Sequence, residues 1–350
     1  MAIDRNRRIK SLKDELKKRR LDAFLVTSEV NVSYLSGFTG HDALILLTPG
    51  EGFFITDSRY VEAAEESVKG LSLRVVKLST YNTIKEIAAK KHLKRTGFES
   101  MNLPYEVATK LKRFMSGTSL VPVRDLVEAL RSVKDPFELE MIKDSIRLTK
   151  KTFKKISRLV RPGATEKLIA KETELEFIGK GAKASFEPIV AAGENSSKPH
   201  AEPTDARIAT NSFVMMDIGC NLNGYCSDMT RMFVVGDVWP RFKKIYDIVH
   251  AAHDMAIEMI KPGVRIAEID RCARGYIEKK GFGKHFGHAL GHGVGMEVHE
   301  LPGISRVNEE PVTAGMVFTI EPAIYIPGFG GVRIEDMVLV KRNGCEVLTN

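Results

Sequence analysis

Two stretches in the second half of the chain begin alike and lie one hundred residues apart. Residues 161–165 read RPGAT and lead into a helical pattern that ends near residues 179–181, whereas residues 261–265 read KPGVR and lead into one that ends near residues 279–281. Pro-Gly pairs often precede helices, so the likeness could arise by chance. If it reflects the fold, two α/β halves pack together and leave a cleft, which is a favourable place for a functional site.

The first part of the chain has the pattern of a small α/β domain. Strand-like apolar runs and helical patterns alternate there, at 23–27, 43–48, 52–56, 60–69, 81–94 and 104–115. They predict an N-terminal α/β domain over residues 1–125. The segment 126–158 is helical with an interruption at Pro136, where Asp135 is placed to cap a new helix. We therefore predict linker helices over 126–158 that lead into a second domain over 126–350.

The net charge of +8 is concentrated near the N-terminus. Residues 1–20 hold nine Lys and Arg against three acids, and so contribute +6 of that charge. Ile9, Leu12 and Leu16 recur there at helical spacing, which leaves the basic residues on the opposite, solvated face. Because no aromatic residues or known motif accompany the basic residues, the pattern does not indicate a nucleic-acid partner.

The sequence predicts neither a membrane-spanning segment nor a secretory signal. No apolar run approaches the roughly 18 residues that span a bilayer, and no apolar leader segment follows the charged N-terminus. The four cysteines form no CxxC or zinc-type spacing. We therefore expect no membrane partner, reduced thiols and a cytoplasmic location.

Two aspartates stand in or beside apolar segments of the second half. Asp217 lies inside the run 212–220 (SFVMMDIGC), and Asp228 opens the strand-like run 229–235. A charge inside such a run is costly unless it is paired or binds a metal. Residues 221–224 (NLNG) are typical of a turn, so a hairpin could bring the two acids side by side. Either a salt-bridge site or a metal site would account for this pair.

A segment rich in glycine and histidine favours the metal interpretation. Residues 287–300 contain three histidines and four glycines. Glycines let the backbone approach closely, and neutral imidazole is a frequent metal ligand. Two more acids stand alone in later apolar strands, and the whole set suits divalent Mn, Co, Fe or Zn better than a structural zinc. The predicted ligands are Asp217, Asp228, His292, Glu321 and Glu335.

The order and surroundings of these five residues resemble the metallopeptidases of the pita-bread fold, in the branch of prolidase and aminopeptidase P. Residues 31–38 (NVSYLSGF) and 56–60 (TDSRY) are similar to the N-terminal domain of that branch. The resemblance covers nearly the whole chain. It implies an α/β pita-bread catalytic domain over 126–350 with two pseudo-twofold halves, preceded by the smaller α/β domain, and a homodimer.

The resemblance implies two divalent metal ions in each subunit. Asp217 would bind one ion, and His292 with Glu321 would bind the other. Asp228 and Glu335 would bridge the two ions. A hydroxide shared by the metals would attack the peptide carbonyl, with Glu321 as the proton shuttle.

The resemblance also implies roles for four residues around the metals. His299 would donate a hydrogen bond to the carbonyl oxygen as charge develops. His200 would lie near the departing nitrogen. His288 would line the cleft and Arg333 would restrain a ligand carboxylate, although a purely structural role stays open for both residues.

For the substrate, the resemblance implies hydrolysis of the peptide bond that precedes proline. Dipeptidases of this branch tend to carry an arginine soon after the His-Glu pair, suited to gripping a product carboxylate. Here Gly303 follows that motif, and Arg306 stands three positions later. Xaa-Pro dipeptidase and Xaa-Pro aminopeptidase therefore both stay open. A creatinase-like C–N hydrolase and a catalytically inactive peptide-binding module are further alternatives, but such relatives lack the complete set of ligands.

Overall fold

The computed structural model describes residues 4–350. The chain forms two compact units, of which the first ends at Leu130 and the second comprises Arg131–Asn350. The sequence patterns predict this division after residue 125. None of the helices within residues 4–350 has the combination of length and apolarity that a bilayer-spanning helix needs.

The first unit is built on a six-stranded mixed sheet. Its strands are β1 (Ala23–Val26), β2 (Ala43–Leu47), β3 (Gly52–Thr56), β4 (Ser72–Val75), β5 (Arg95–Glu99) and β6 (Ser119–Val123). Its helices are α1 (Arg5–Lys18), α2 (Glu29–Ser36), α3 (Val61–Ser67), α4 (Thr80–Lys90) and α5 (Tyr105–Phe114), and α6 (Leu126–Ser132) follows. The strand order is β4-β3-β2-β1-β5-β6. Every residue of the central strand β1 is buried, which explains why it is apolar throughout.

Helix α1 buries Ile9, Leu12 and Leu16, which confirms the apolar face that their spacing predicts. The expectation that all its basic residues are solvated is wrong at Arg8, which is buried. The guanidinium of Arg8 donates to the carbonyl oxygen of Tyr34 at 3.0 Å and lies 4.0 Å from the centre of the Tyr34 ring. These contacts compensate a charge that helical spacing alone would place in water.

The second unit contains four long helices and thirteen strands. The helices are α7 (Pro136–Ile156), α8 (Glu166–Ile178), α9 (Pro240–Met259) and α10 (Ile266–Lys279). The strands of its first half are β7 (Lys183–Ala184), β8 (Ile189–Ala192), β9 (Ser212–Ile218), β10 (Cys220–Leu222), β11 (Tyr225–Cys226) and β12 (Met229–Val235). Those of its second half are β13 (Gly291–Gly293), β14 (Glu300–Ile304), β15 (Val317–Ile320), β16 (Ala323–Ile326), β17 (Gly330–Arg333), β18 (Asp336–Lys341) and β19 (Gly344–Val347).

Four sheets organise these strands. Their orders are β12-β9-β8, β11-β10-β7, β14-β13-β15-β18-β19 and β16-β17. Helices α7 and α8 pack against β9 in one apolar core, whereas α9 and α10 pack against β15 and β18 in another. Helix α7 begins at the predicted cap: the Asp135 carboxylate accepts from the N–H of Glu138, and Pro136 occupies the first turn.

The two halves of the second unit repeat the same backbone contacts after the Pro-Gly pairs. The N–H of Gly163 donates to the carbonyl of Ile208 at 2.9 Å, and the N–H of Gly263 donates to the carbonyl of Val312 at the same distance. Each partner returns a bond of 2.8 Å to the residue after the glycine. The likeness of the two stretches therefore reflects the fold, as predicted, and not a chance recurrence of helix starts.

Candidate active site

Strand β9 carries Asp217 on the face that points away from α7 and α8. Val214 and Met216 alternate with it and pack in the apolar core that α7 and α8 share. Strand β9 pairs with β12 so that Asp217 stands opposite Thr230, and Asp228 lies directly before β12. The structure thus places both aspartates at the same end of two adjacent strands.

The second half contributes an imidazole and two carboxylates from neighbouring strands. His292 lies in β13, Glu321 directly follows β15 and Glu335 directly precedes β18. The Nε2 atom of His292 lies 3.4 Å from Oε1 of Glu321 and 3.5 Å from Oδ2 of Asp228. Asp228, His292 and Glu335 each offer a ligand atom within 4.8 Å of the other two. One divalent ion could therefore contact all three residues.

The carboxylates of this cluster are buried close to one another, and their pKa values are raised as a result. Burial raises the pKa of Asp228 well above its ordinary value, and the charges of Glu335 and Asp217 raise it further. Burial and then the charge of Glu321 likewise raise the pKa of Glu335 well above its ordinary value. Burial also raises the pKa of Glu321 to about 7, although the charge of Arg333 opposes the shift. A cation among these groups would relieve both penalties.

The donors in the cluster fit a metal ion. Within residues 4–350, the buried Oδ1 atoms of Asp217 and Asp228 have no hydrogen-bond partner. Burial, followed by the charge of His299, lowers the pKa of His292 to about 4, so its imidazole is neutral at pH 7 and can offer a lone pair. Carboxylate oxygens with one imidazole form a donor set suited to divalent transition metals.

Arg333 is a buried cation in contact with this cluster. Its Nη2 donates to Oδ2 of Asp217 at 2.6 Å, and its Nε donates to the hydroxyl of Thr230 at 3.1 Å. Its Nη1 donates to the hydroxyl of Tyr325 at 2.7 Å, and that hydroxyl lies 3.2 Å from Nε2 of His288. Burial raises the pKa of Tyr325 to about 12 and lowers that of His288 to about 4. A continuous polar chain therefore leads from Asp217 to His288.

Tyr325 is a further residue of this site that the sequence patterns do not indicate. An aromatic residue in an apolar strand is more often part of the core, and nothing nearby in the sequence marks this one. Its role emerges only from pairing, because β16 and β17 align so that Ala323 stands opposite Arg333 and Tyr325 opposite Gly331. One feature of the sequence could have indicated its role: Tyr325 stands four residues after the isolated acid Glu321, in the strand that follows it.

The structure also places His200 and His299 near the cluster. The ring centres of His292 and His299 lie 4.1 Å apart. Burial lowers the pKa of His299, and the charge of His200 lowers it further. The two imidazoles therefore lie close enough for their charges to interact. The loop of His200 is tied to the cluster because Arg333 donates to the carbonyl of Pro199 at 3.0 Å. All nine predicted site residues therefore lie in one region of the second unit.

Gly303, at which the sequence departs from the pattern of the dipeptidases, lies beside the same region. Gly303 stands opposite His292 where β13 pairs with β14. A Cβ atom built there would meet no atom within 4 Å, so a side chain can start at this position without a clash. Arg306 is exposed.

Comparison with known proteins agrees with this geometry. The model of "Metallopeptidase family M24" matches residues 140–342, and that of the "Creatinase/Prolidase N-terminal domain" matches residues 8–133. The chain is 35% identical over 347 residues to an Xaa-Pro dipeptidase of Pyrococcus horikoshii, with 98% of this chain and 97% of that protein covered.

Solved structures show the same relationship. A structure titled Xaa-Pro dipeptidase from Bacillus anthracis matches with a TM-score of 0.96 and 35% identity, covering 99% of this chain and 98% of the other. A structure of X-Pro aminopeptidase from Thermotoga maritima matches with a TM-score of 0.87 and 34% identity, covering 96% and 98%. With its buried cluster of carboxylates and imidazole, its pseudo-twofold fold and these matches, the chain belongs to metallopeptidase family M24.

Proposed function

We propose that this protein hydrolyses the peptide bond before proline, as an Xaa-Pro dipeptidase or an Xaa-Pro aminopeptidase. The observation that carries the proposal is the contact of His292 with Asp228 and Glu321 in a buried cluster that also holds Glu335. The relatives named as Xaa-Pro dipeptidases, at 35% identity over nearly the full chain, support the substrate class.

The proposed cofactors are two divalent ions for each chain, with Mn, Co, Fe and Zn as candidates. Four carboxylates match the charge of two such ions, whereas one ion together with the guanidinium of Arg333 would leave one negative charge buried. When bound, the ions supply Lewis acidity that polarises the scissile carbonyl and makes water a stronger nucleophile. The residues proposed to hold them are Asp217, Asp228, His292, Glu321 and Glu335.

The chain's own residues then divide the remaining tasks. Glu321, whose carboxylate lies 3.4 Å from the His292 imidazole, would accept a proton and release it again during the reaction. His299, whose pKa is lowered mainly by burial, is a neutral imidazole that donates a hydrogen bond to the carbonyl oxygen as negative charge develops there. His200 lies beside it and hydrogen-bonds the departing nitrogen. His288 lines the cleft.

Arg333 and Tyr325 keep this arrangement in place. Arg333 holds the Asp217 carboxylate in one orientation and also fixes the carbonyl of Pro199 in the loop of His200. Tyr325 joins the guanidinium to His288. Their contribution is positional. If a ligand carboxylate or a histidine were displaced, it would no longer be aligned with the reacting atoms of the substrate.

Substrate length is set, in this proposal, by what stands beside the cluster in β14. An Xaa-Pro amide has no N–H, so recognition depends on the ring and on the groups that flank it. Gly303 offers no charged group to a free carboxylate after proline. This favours acceptance of longer Xaa-Pro peptides in addition to Xaa-Pro dipeptides.

We also propose a homodimer located in the cytoplasm. The cytoplasmic location is supported by the cysteines, because all four are free thiols. The dimer follows from the family resemblance, and light scattering coupled to size-exclusion chromatography would measure its mass directly. A monomer at micromolar concentration would contradict it.

One experiment tests the substrate and its length together. The metal-free protein is reconstituted with Mn or Co and incubated with Xaa-Pro, with Xaa-Pro-Yaa-Zaa and with matched peptides that carry alanine in place of proline. We expect cleavage before proline in both proline peptides and far slower cleavage of the alanine peptides, followed by mass spectrometry. Cleavage of the alanine peptides at equal rates would contradict the proline specificity.

A matched variant separates catalysis from binding alone. Glu321→Gln keeps the size of the side chain but replaces a carboxylate that is both a proposed ligand and the proposed proton acceptor, and we expect it to lose turnover. Metal content is measured in the same samples, because loss of turnover with both ions retained identifies the proton transfer. If the wild-type protein stayed inactive with two equivalents of metal bound, the inactive peptide-binding alternative would replace this proposal. Release of an amine from creatine-like substrates would instead favour the C–N hydrolase alternative.

A further inference from the structure

A buried cluster of charges lies behind the turn that joins His292 to His299. The Glu300 carboxylate accepts from Nη2 of Arg131 at 2.5 Å and from Nζ of Lys134 at 2.8 Å. The side chains of Arg131, Lys134 and Glu300 are only 2%, 0% and 3% exposed. The same Arg131 atom donates at 2.7 Å to Glu297, whose side chain is 47% exposed.

Such a cluster is expensive to bury. The desolvation of three charged groups consumes much of what their attraction returns, and apolar residues of similar size often give equal stability. Burial alone would raise the pKa of Glu300, but the charges of Lys134 and Arg131 outweigh it and hold that pKa below its ordinary value. Glu300 is therefore ionised. Its burial is better explained by the backbone conformation that it imposes than by a gain in the stability of the fold.

That conformation is the turn formed by residues 293–299. A Cβ atom at Gly295 would lie 2.3 Å from Oε1 of Glu300, so the turn passes directly against the carboxylate and a side chain there would displace it. The N–H of Gly295 donates to the carbonyl of Glu297 at 3.0 Å, which closes the turn. His292 directly precedes this turn and His299 is its last residue, and their ring centres lie 4.1 Å apart.

The cations that hold Glu300 are themselves fixed to the frame of the site. The N–H of Lys134 donates to the carbonyl of Gly315 at 2.9 Å, and Val133 forms a β-bridge with Met316. Residue 316 leads directly into β15, the strand that ends beside Glu321. The cluster therefore links the turn to the same strand that presents Glu321.

We infer that Glu300 is a positioning residue for the reaction: held between Arg131 and Lys134, it fixes the turn 293–299 and thereby orients the imidazole of His299. This inference rests on the proposed role of His299 in hydrolysis. Glu300 does not touch the substrate and moves no proton. Its effect on the rate passes through His299 and requires that the turn keep its shape.

The test is a double-mutant cycle between Glu300→Gln and His299→Ala in the metal-loaded protein, with Xaa-Pro as substrate. In the presence of His299 we expect Glu300→Gln to lower kcat about 30-fold with KM changed less than about threefold, because orientation matters most in the transition state. In the His299→Ala background the same change should have an effect of less than about twofold. An equal loss in both backgrounds would overturn the inference.

Matched controls separate positioning from general destabilisation. Glu297→Gln makes the same chemical change on the exposed partner of Arg131 and should leave kcat within about twofold. Lys134→Met leaves the pair of Glu300 with Arg131 and should slow turnover less than Glu300→Gln, whereas Lys134→Arg should restore the rate. If Glu300→Gln fails to fold, the same double-mutant cycle with His299→Ala is measured with Lys134→Met, and Lys134→Arg serves as its control. Rates that follow only the thermal midpoint, as in a core variant such as Ile277→Ala, would also overturn the inference.

A readout without turnover distinguishes this inference from the proposed function. The imidazole proton and nitrogen NMR signals of His299 should shift in Glu300→Gln and stay unchanged in Glu297→Gln. If the wild-type protein cleaves no proline peptide but these signals shift, the proposed function fails and the positioning contact stands. If the peptides are cleaved but the His299 signals and kcat are unaffected in Glu300→Gln, the positioning contact fails alone.

Discussion

The loops that carry His200 and His299 are each built around a buried acid, but the two acids are satisfied in different ways. Glu166 holds the loop of His200 with neutral donors, whereas two cations meet Glu300 behind the turn of His299. The partners of Glu166 belong to the loop itself. Those of Glu300 come from a segment 166 to 169 residues earlier. The first loop is fixed locally, and the second depends on a distant part of the chain.

The details of the first loop show how complete the local fixation is. The N–H of Ala192 donates to Oε1 of Glu166 at 2.6 Å. Oε2 accepts from the N–H and hydroxyl of Thr204, at 2.8 and 2.7 Å, and from the amide of Asn195 at 2.9 Å. One carboxylate thus joins both ends and the middle of the loop around His200.

The repeat of the two halves does not extend to these acids. Gly163 and Gly263 make the same backbone contacts, yet the position one hundred residues after Glu166 is Ile266, which is fully buried in an apolar core. The two halves therefore share backbone contacts, but they differ in the side chains at corresponding positions, such as Glu166 and Ile266.

The largest expected effect is loss of the cluster that both halves share. Asp228→Asn removes a carboxylate of the first half, and His292→Ala removes the imidazole of the second. We expect each to lower kcat/KM at least about a thousandfold, because Lewis-acid stabilisation is worth several kcal/mol. Metal content by mass spectrometry should fall with the rate, while Asp247→Asn, an exposed control, should leave both unchanged. Full metal binding and activity in either variant would show that one half suffices.

The second expected effect is on stability and pH. The folded-state pKa of Glu321 is raised by burial to about 7, above the roughly 4.3 of a free glutamate. The metal-free protein therefore has this stabilisation in full below about pH 4.3 and loses it as pH rises through about 7, by roughly 4 kcal/mol. Chemical unfolding at several pH values measures the loss. Metal-loaded protein should not lose stability in this range, because metals bind the deprotonated form.

A third, smaller effect tests the local fixation of the first loop. Glu166→Gln places an amide N–H against N–H donors, which leaves buried groups unsatisfied at a cost of about 1–3 kcal/mol. We expect kcat/KM to fall about tenfold through displacement of His200, with metal content unchanged. Ile266→Val, at the corresponding position of the second half, should leave turnover within about twofold. Equal losses from both changes would mean that rates report stability and not the loop.

The smallest expected effect concerns substrate length. Gly303→Arg introduces a guanidinium beside His292, where a side chain has room. We expect the ratio of dipeptide to tetrapeptide cleavage to rise about threefold, because arginine can pair with a free carboxylate after proline. Gly303→Lys provides a point charge without the planar fork and should give a smaller change. A preference unaffected by either substitution would place the control of length outside β14.

Much of this architecture was readable from sequence because it depends on local patterns. The Pro-Gly pairs, the Asp135 cap and the apolar face of α1 follow from spacing over a few residues. Isolated acids in apolar strands were visible for the same reason, since a lone Asp217 or Glu321 conflicts with its neighbours.

The rest depends on contacts between distant positions. Tyr325 reads as a core aromatic until pairing places it against Arg333, and Lys134 reads as a surface cation until the fold brings Glu300 to it. Arg8 is buried for a similar reason, because the ring and carbonyl of Tyr34 receive it. Sequence spacing carries no information on such partners, and no period in the sequence marks them.

The central claim is that the two halves together hold two metal ions needed for hydrolysis before proline. Its most direct test is titration of the metal-free protein with Mn or Co while bound metal and the rate of Xaa-Pro cleavage are measured in the same samples. We expect the rate to reach its maximum only when two ions are bound to each chain. Full activity with one bound ion, or with none, would contradict it.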